Sequence, residues 1–306
     1  MTAPTIGSMF SGYGGLDLAE EAVTGARPAW FCEWDDAPSK ILAHHWPDVP
    51  NCRDVTEVDW STVPPVDIIT GGYPCQPFSK AGARKGTNDE RHLWPYVREA
   101  IRHLRPRFAL LENVAGHRSL GFDRVLGDLA EDGADVRWTT LRASDVGAPH
   151  HRERLFILVI PADSDGIGLE AERLARGQAT PIPGDYDGDR ALAWAGGATD
   201  IMRDANQRWG AYSPAVLTWA LIHGMPPLPT VDTVTYHDPD LCGDRFPEPR
   251  AELDPAWCEW MMGLPAGWIT DVPGLTRSQQ LKAAGNGVVP QQAAAALRHL
   301  IGEATS

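Results

Sequence analysis

The segment Gly-Gly-Tyr-Pro-Cys-Gln-Pro-Phe-Ser at 71–79 contains the side chain best suited to covalent chemistry, the thiol of Cys75. The preceding residues, 66–70, are mostly apolar and predict a short buried strand that ends at the glycine pair. The glycines and prolines favour a stiff turn that a ligand can approach closely, where a thiolate acts as a nucleophile. A free cysteine is more often a small buried hydrophobic residue, so the assignment depends on the rest of the chain.

Residues suited to binding and catalysis also lie at the ends of four other predicted strands, at 5–10, 29–32, 51–55 and 107–111. In a parallel, doubly wound sheet the carboxyl ends of the strands line one crevice. We therefore expect five side chains to converge there: Phe10, Glu33, Asp54, Cys75 and Glu112. A single Glu-Asn-Val segment is more often a loop or a helix cap, but a cysteine and a glutamate at successive strand ends favour an active site.

The first predicted strand leads into a glycine-rich turn at 11–15 and an amphipathic helix at 16–23, the beginning of a βαβ unit. Glycines at such a turn let a ligand approach the backbone, and the free N–H groups of the helix start favour a negative group. Glu33 is placed to accept hydrogen bonds from a ribose, Trp34 to stack on an adenine and Asp54 to accept from its amino group. These residues fit any adenosine-containing cofactor, including NAD, FAD and S-adenosylmethionine.

A second group of charged residues lies in the loop of a predicted edge hairpin, whose strands are expected at 134–141 and 154–160. The loop contains Arg152 and Arg154, two arginines whose spacing suits a phosphate or the edge of a base. The alternative is a surface ion cluster with Glu153.

Composition is that of an ordinary globular protein, with 43% hydrophobic and 22% charged residues among 306. Neither a bilayer-spanning apolar run nor a signal peptide is evident, so we expect a cytosolic protein. Five cysteines without a Cys-x-x-Cys pair indicate neither a disulfide framework nor a structural zinc site.

The net charge of −14 argues mildly against a nucleic-acid partner, because Lys and Arg facing phosphates supply much of the affinity for DNA. Its distribution is uneven, however, because residues 80–107 carry an excess of Lys and Arg. This predicts either a local basic surface that begins just after Cys75 or a solvated helix face with scattered arginines.

Composition changes after residue 161. Residues 162–250 are rich in Gly, Pro, Asp and Ala, show poor periodicity and predict a smaller, loop-rich lobe. A short helix is expected at 255–262, and the segment 276–290 leads into a helix at 291–301 that is apolar enough to pack on the main sheet.

The chain resembles the DNA (cytosine-5)-methyltransferases of the bacterial and phage type, because an ordered set of motifs matches that family across about two thirds of its length. The motifs are the glycine turn at 10–15, Glu-Trp at 33–34, Asp54, Gly-Tyr-Pro-Cys-Gln at 72–76, Glu-Asn-Val at 112–114, His-Arg-Glu-Arg at 151–154 and Gly-Asn-Gly-Val-Val-Pro at 285–290. The chain departs from the family pattern at 90–94, where the family usually has Arg-Gly-x-Leu, and at His150 or His151, where a Gln is common.

The resemblance implies an α/β, Rossmann-like S-adenosylmethionine-dependent methyltransferase sheet with a small target-recognition lobe. It implies a catalytic and cofactor-binding domain at 1–161, a target-recognition region at 162–253 and a C-terminal segment at 254–306 that returns to the catalytic domain. The substrate would be a cytosine flipped out of double-stranded DNA, methylated at carbon 5 after Cys75 adds to carbon 6.

The resemblance also implies roles for individual residues. Glu112 would hold or protonate N3 of the base, and Arg152 and Arg154 would favour the thiolate. The catalytic set is Cys75, Gln76, Glu112, Asn113, Arg152 and Arg154; the cofactor set is Phe10, Ser11, Gly12, Gly14, Gly15, Leu16, Glu33, Trp34, Asp54, Pro74, Asn286 and Val288; the DNA-binding set is Ser79, Lys80, Arg84, Lys85 and Arg91.

Two alternatives stay open: a family member that methylates tRNA, and a DNA-binding relative without catalytic activity. The roughly ninety residues after Pro161 favour DNA, since tRNA enzymes of this type lack a large recognition lobe. We expect no metal and no membrane partner, and a monomer in the cytosol of a bacterium or a phage-infected host, of the kind used in restriction-modification systems.

Overall fold

The structure is a computed structural model. It describes residues 3–74, 93–162, 164, 208–223, 231–234 and 250–302. The turn that carries Cys75 and most of the predicted recognition region therefore lie outside the described residues.

A six-stranded sheet in the order β2-β1-β3-β4-β6-β5 forms the centre of the molecule. Strands β1 to β4 are parallel to one another, whereas β6 runs antiparallel to both β4 and β5. The strands are β1 Thr5–Met9, β2 Arg27–Cys32, β3 Ile68–Gly71, β4 Phe108–Val114, β5 Asp135–Arg142 and β6 Glu153–Ile160. The expected α/β sheet with an edge hairpin is confirmed.

Helices connect these strands and follow the sheet along the chain. They are α1 Gly15–Thr24, α2 Asp36–His45, α3 Trp94–Leu104, α4 Phe122–Glu131, α5 Ser213–His223, α6 Pro255–Met261, α7 Arg277–Asn286 and α8 Pro290–Gly302. A separate antiparallel pair joins β7 Val231–Val234 to β8 Arg250–Leu253. No helix in the described part of the chain is long and apolar enough to cross a membrane.

Both faces of the sheet are covered, as the sequence of β4 requires. Successive residues of a strand point to opposite faces, and here Phe108 and Leu110 join one apolar cluster while Ala109 and Leu111 join another. The first cluster packs α1 and α8 against the sheet, and the second contains residues of α3 and α4. The predicted packing of the last helix on the main sheet is thus observed.

A third apolar cluster links α5, α6 and α7 to the glycine turn. Trp219 of α5 is fully buried in this cluster, and its indole N–H donates to the Trp260 carbonyl at 3.0 Å. Tyr13 of the turn belongs to the same cluster. Helix α5 falls inside the range predicted as a recognition region. Its buried side chains nevertheless pack in the same apolar cluster as residues of α1 and the glycine turn.

The prediction of a third strand at 51–55 is wrong. Only Asn51 forms an isolated parallel bridge, to Phe31. The chain then turns, because Arg53 has a φ of 67° and Asp54 Oδ1 accepts the backbone N–H of Thr56 at 2.9 Å.

Candidate active site

Register places the ends of the four parallel strands side by side. Cys32 of β2 is level with Met9 of β1, Met9 with Gly71 of β3, and Gly71 with Leu111 of β4. The next residue of each strand therefore lies at one edge of the sheet. Those residues are Glu33, Phe10, Gly72 and Glu112.

The glycine turn has the backbone shape that its sequence predicts. Gly12 and Gly14 have φ values of 56° and 86°, which favour glycine, and Phe10 adopts the same region at 51°. A Cβ added to Gly12 would meet nothing within 4 Å, so the turn is open on that side. A ligand can thus approach the backbone at Gly12.

Glu33 shapes this turn from the neighbouring strand end. Its two carboxylate oxygens accept the backbone N–H groups of Gly12 and Asp35, each at 2.8 Å. Burial raises the pKa of Glu33 above its usual range. Each carboxylate oxygen has a second lone pair, so these bonds do not exhaust its capacity for a ribose hydroxyl.

The surroundings of Glu33 fit an adenosine group. Trp34 beside it is 71% exposed, a high value for an indole, and offers a face for stacking. Asp54 lies at the same edge, since the Cys32 thiol at the end of β2 donates to the carbonyl of Arg53 at 3.3 Å. The open glycine, the half-buried carboxylate and the exposed indole are features suited to such a cofactor.

The remaining residues of the predicted cofactor set surround the turn. A Cβ on Gly15 would lie 2.3 Å from the Val288 carbonyl oxygen, so the C-terminal motif touches the start of α1. Leu16 and Val288 are buried, the Ser11 hydroxyl donates to the Ser8 carbonyl, and Asn286 is exposed. In the part of the chain that the structure describes, no group of His, Cys, Asp and Glu is arranged to hold a metal.

Glu112 is a buried carboxylate at the edge beside β3. Its Oε1 lies 2.8 Å from Nε of Arg154 on β6, and a Cβ added to Gly72 would lie 3.4 Å from its Oε2. Burial raises the pKa of Glu112 to about 7, although the charges of Arg154 and Arg152 oppose the shift. The carboxyl group is thus able to hold a proton near neutral pH.

Asn113 fixes the chain just before the Cys75 turn. Its side-chain N–H donates to the Tyr73 carbonyl at 3.0 Å, and its Oδ1 accepts the N–H of Val114. The ring of Tyr73 is buried, with its hydroxyl 3.0 Å from Nε2 of His117. Pro74, the last described residue before Cys75, is exposed, and Gly72 two residues earlier lies beside the Glu112 carboxyl.

The two arginines of the hairpin loop have different partners. Arg154 pairs with Glu112, whereas the guanidinium of Arg152 donates to the carbonyls of Gly285, at 2.8 Å, and Gly287. The predicted ion cluster with Glu153 is absent for Arg152 among the described residues. Arg152 is therefore directed to the C-terminal motif.

Comparison with protein families decides the classification. Residues 5–206 match the family described as C-5 cytosine-specific DNA methylase. The chain belongs to this family. The match covers the glycine turn, the Cys75 segment, the Glu-Asn-Val strand and the hairpin segment with Arg152 and Arg154, which we call the arginine loop.

Curated relatives of this chain include type II methyltransferases. The chain is 33% identical to M.SsoII of Shigella sonnei over 155 residues, which cover 49% of this chain and 41% of that protein. It is 30% identical to M.HhaI of Haemophilus parahaemolyticus over 160 residues, 51% of this chain and 48% of that protein. The chain thus matches somewhat less than half the length of these two relatives.

Solved structures confirm the methylase fold. A Dnmt2 methyltransferase of S. pombe superposes with a TM-score of 0.62 at 14% identity, covering 99% of this chain and 100% of that chain. A prophage-encoded putative DNA modification methyltransferase of E. coli superposes with a TM-score of 0.58 at 17% identity, covering 99% and 100%.

The predicted basic surface at 80–107 lies only in part within the described residues, from residue 93 onwards. On α3, Arg98 pairs with Asp128 and Asp132 of α4, at 2.9 and 2.7 Å, and Arg102 lies 3.6 Å from Asp132. The positive charges of both α3 arginines are thus neutralised by ion pairs with carboxylates of α4. The predicted catalytic residues Cys75 and Gln76 lie outside the described residues, as do the predicted DNA contacts Ser79, Lys80, Arg84, Lys85 and Arg91.

Sequence reasoning missed three residues of this site. Tyr13 is completely buried in the glycine turn, and its hydroxyl donates to the Val288 carbonyl at 2.7 Å. Asp17 accepts the hydroxyls of Ser8 and Thr70, at 2.8 and 2.9 Å. Gln292 binds the Arg152 carbonyl at 2.9 Å. Only Asp17, an acid inside an apolar helix start, carries a signal in the sequence.

Proposed function

We propose that the chain transfers a methyl group from S-adenosylmethionine to carbon 5 of a cytosine flipped out of a specific double-stranded DNA sequence. One observation carries this proposal: the buried Glu112, paired with Arg154, lies against Gly72 at the entry to the Cys75 turn. That edge of the sheet also contains the open glycine turn. Family membership supports the same reaction.

The cofactor would be held by the glycine turn together with Glu33, Trp34 and Asp54. It supplies a methyl group made electrophilic by a positively charged sulfur. Glu33 orients the turn through its bonds to the backbone at Gly12 and Asp35. Trp34 gives the adenine a stacking face that is open to solvent in the free protein.

Cys75 would act as the nucleophile, since carbon 5 of cytosine is too electron-poor to accept a methyl group directly. The thiolate forms a C–S bond to carbon 6 of the base, and the displaced electron pair makes carbon 5 nucleophilic. After methylation, a base removes the carbon 5 proton, the C–S bond breaks and the thiolate leaves. Cys75 is thereby restored.

Glu112 would supply the proton that this addition requires. As the C–S bond forms, negative charge builds on N3 of the ring, and the Glu112 carboxyl donates its proton there. A buried carboxyl whose pKa is raised to about 7 holds that proton at neutral pH. Arg154, 2.8 Å from Glu112, orients the carboxyl and stabilises the carboxylate until N3 returns the proton as the thiolate leaves.

The target carbon lies inside the base stack of a duplex, so the cytosine must leave the stack to reach this pocket. We assign Ser79, Lys80, Arg84, Lys85 and Arg91 to the phosphates beside the extruded base. We also propose catalytic residues at 1–161 and 254–306 and recognition by 162–253. The proposed form is a monomer that uses no metal, in a bacterial or phage-infected cytosol.

The test is base-resolution 5-methylcytosine sequencing of host DNA after expression of the wild-type chain or of Cys75→Ser. We expect methylation at one short sequence with the wild type and none with the variant. Soluble wild-type protein that leaves the DNA unmethylated would overturn the proposal. Methylated host tRNA in that case would establish the RNA alternative.

The same variant separates catalysis from cofactor binding. Serine differs from cysteine by one atom, and Cys75 is assigned to the base rather than to the cofactor. Cys75→Ser is therefore expected to bind S-adenosylmethionine within about threefold of the wild-type affinity, a difference of less than about 1 kcal/mol. Calorimetric titration measures this, and loss of cofactor binding would contradict the role of Cys75.

A further inference from the structure

The turn between α7 and α8 meets two parts of the site at once. Carbonyls of Gly285 and Gly287 accept the guanidinium of Arg152, and the carbonyl of Val288 accepts the hydroxyl of Tyr13. We name residues 285–288 the C-terminal turn. Its carbonyls bind one residue of the arginine loop and one residue of the glycine turn.

Tyr13 is held on several sides. Its hydroxyl donates to Val288 at 2.7 Å, and the indole N–H of Trp268 donates to its carbonyl at 3.0 Å. A Cβ on Gly287 would lie 1.8 Å from the Tyr13 ring, so only glycine fits there while the ring keeps its place. Since Tyr13 lies between Gly12 and Gly14, these contacts locate the open backbone of the glycine turn.

Arg152 is held equally closely. Its side chain binds the C-terminal turn, and its carbonyl accepts the side-chain N–H of Gln292 on α8 at 2.9 Å. The same Gln292 nitrogen donates to the Leu141 carbonyl at 2.7 Å, on the opposite strand of the hairpin. Arg152 has a φ of 32°, a strained value for a residue with a side chain, which these contacts maintain.

Two residues beyond Arg152, Arg154 forms the ion pair with Glu112. The charges of Arg152, Glu112 and Arg154 all act on Tyr13, whose pKa burial raises well above its usual range. The glycine turn therefore contributes a neutral phenol that lies within the electrostatic influence of the charged pair. The connection runs from Gly12 through Tyr13, the C-terminal turn and Arg152 to Arg154.

We propose that Tyr13 and Arg152 are positioning residues that couple the cofactor pocket to the Glu112–Arg154 pair through the C-terminal turn. An occupied glycine turn then holds the arginine loop in its catalytic arrangement, and an ordered loop favours cofactor binding to the same extent. This inference rests on the proposed function, because it assigns the cofactor to the glycine turn. It adds a hydrogen-bonded path between the two sites.

The test is amide hydrogen exchange with and without S-adenosylhomocysteine, the non-reactive product form of the cofactor. In the wild type we expect the ligand to slow exchange at 10–16 and also at 147–156. Tyr13→Phe keeps the ring against Gly287 and removes only the hydroxyl. In this variant protection at 10–16 is expected to remain, while protection at 147–156 falls by about threefold or more.

Tyr96→Phe is the matched control. It removes a phenol hydroxyl from α3, which packs in the apolar cluster that contains Ala109 and Leu111. Residues 10–16 and 147–156 should therefore keep their wild-type protection. Equal protection at 147–156 in the wild type and in Tyr13→Phe would overturn the coupling. So would an absence of protection there in the wild type when the ligand is bound.

A second measurement needs no ligand and separates this inference from the proposed function. Arg152→Met keeps an unbranched side chain and removes the donors to Gly285 and Gly287. The coupling predicts exchange at 11–14 and at 285–288 that is faster by about threefold or more than in the wild type. Faster exchange at 285–288 alone would show a local role and overturn the coupling. Failure of S-adenosylhomocysteine to bind would instead overturn the cofactor assignment.

Discussion

Glu112 and Asp17 are two buried carboxyl groups with different tasks. Burial raises the pKa of each to about 7. Glu112 faces an arginine at the edge of the sheet, where a substrate can arrive, whereas Asp17 is 1% exposed and ties β1 and β3 to α1 through two hydroxyls. The first group is therefore suited to proton transfer and the second to holding the glycine turn.

The proposed role of Glu112 as proton donor predicts a pH dependence of the chemical step. Because the protonated carboxyl is the active form, kcat should fall as pH rises through about 7. Glu112→Gln keeps the size of the side chain without a transferable proton. We expect its kcat to be lower by about 10² to 10⁴ and its alkaline fall to disappear, as measured by single-turnover methylation between about pH 5.5 and 9. A variant with wild-type kcat would exclude the role.

Asp17 predicts a pH dependence of stability. A carboxyl whose pKa rises from 3.8 to about 7 on folding contributes stability that is complete below the lower value and is lost as pH passes the higher one. Asp17→Asn should therefore flatten the decline of the free energy of unfolding across that interval, by up to about 1.4 kcal/mol per pH unit. Urea unfolding at several pH values checks this. Glu112 gives a residual slope of the same sign, and an unchanged slope in the variant would exclude Asp17 as its source.

At the scale of elements, α8 stabilises the sheet from the same side as α1. Its apolar residues form the cluster that also contains Ile6, Ile68 and Phe108, and Leu297 is fully buried there. Leu297→Ala is expected to lower the free energy of unfolding by about 2 to 5 kcal/mol, because less apolar surface is buried and a cavity remains.

The neighbouring substitution Arg298→Ala is the control for this prediction, because Arg298 is only half-buried and should change stability by about 0.5 kcal/mol or less. Denaturant unfolding compares the two variants. Equal effects of Leu297→Ala and Arg298→Ala would contradict the placement of Leu297 in the core.

Elements with strong apolar patterns were predictable from the sequence. The apolar runs of β1, β4 and β6 and the periodicity of α1 and α8 are local signals, and the structure confirms these elements within a few residues. The segment 51–55 was predicted as a strand but forms a single bridge. Pairing ends there because Arg53 has a positive φ and the Asp54 side chain accepts a backbone hydrogen bond, which together turn the chain. Helix α7 was missed, although Thr276 and Gln279 form a capping box that marks its start.

The meeting of strand-end residues at one edge was predictable from the sequence, but the partners that each residue binds were not. Parallel strands bring Glu33 and Glu112 to one edge, which follows from fold class alone. Arg152 binds a turn more than 130 positions away, since its two hydrogen bonds join residues separated by 133 and 135 positions, whereas Arg154 pairs with Glu112. No local pattern contains that information.

At the scale of the whole molecule, the proposed binding of DNA by a chain with a net charge of −14 requires a restricted basic surface. Acids of α4 balance Arg98 and Arg102, which leaves 80–91 as the segment to which we assign phosphate binding. Replacing Lys80, Arg84 and Lys85 together by Ala should reduce the slope of log affinity against log salt by about 0.9 for each phosphate that is no longer neutralised, up to about 3.

Arg124→Ala provides the control, because Arg124 is exposed on α4, next to the acids that pair with α3. Fluorescence anisotropy with a duplex that contains the methylated sequence, titrated from low to physiological salt, measures both slopes. A triple variant with the wild-type slope would place phosphate binding elsewhere.

The hydrogen bond between Tyr13 and Val288 joins residues separated by 275 positions. During synthesis at about 5 to 20 residues per second, the glycine turn therefore waits about 14 to 55 s on the ribosome before its partner is made. Throughout that interval the sheet also lacks α8, so a nascent chain has neither a complete cofactor turn nor a held arginine loop. Under the proposed function, methylation therefore begins only after the C-terminal turn has been made, and a premature stop codon before that turn is expected to yield an inactive product.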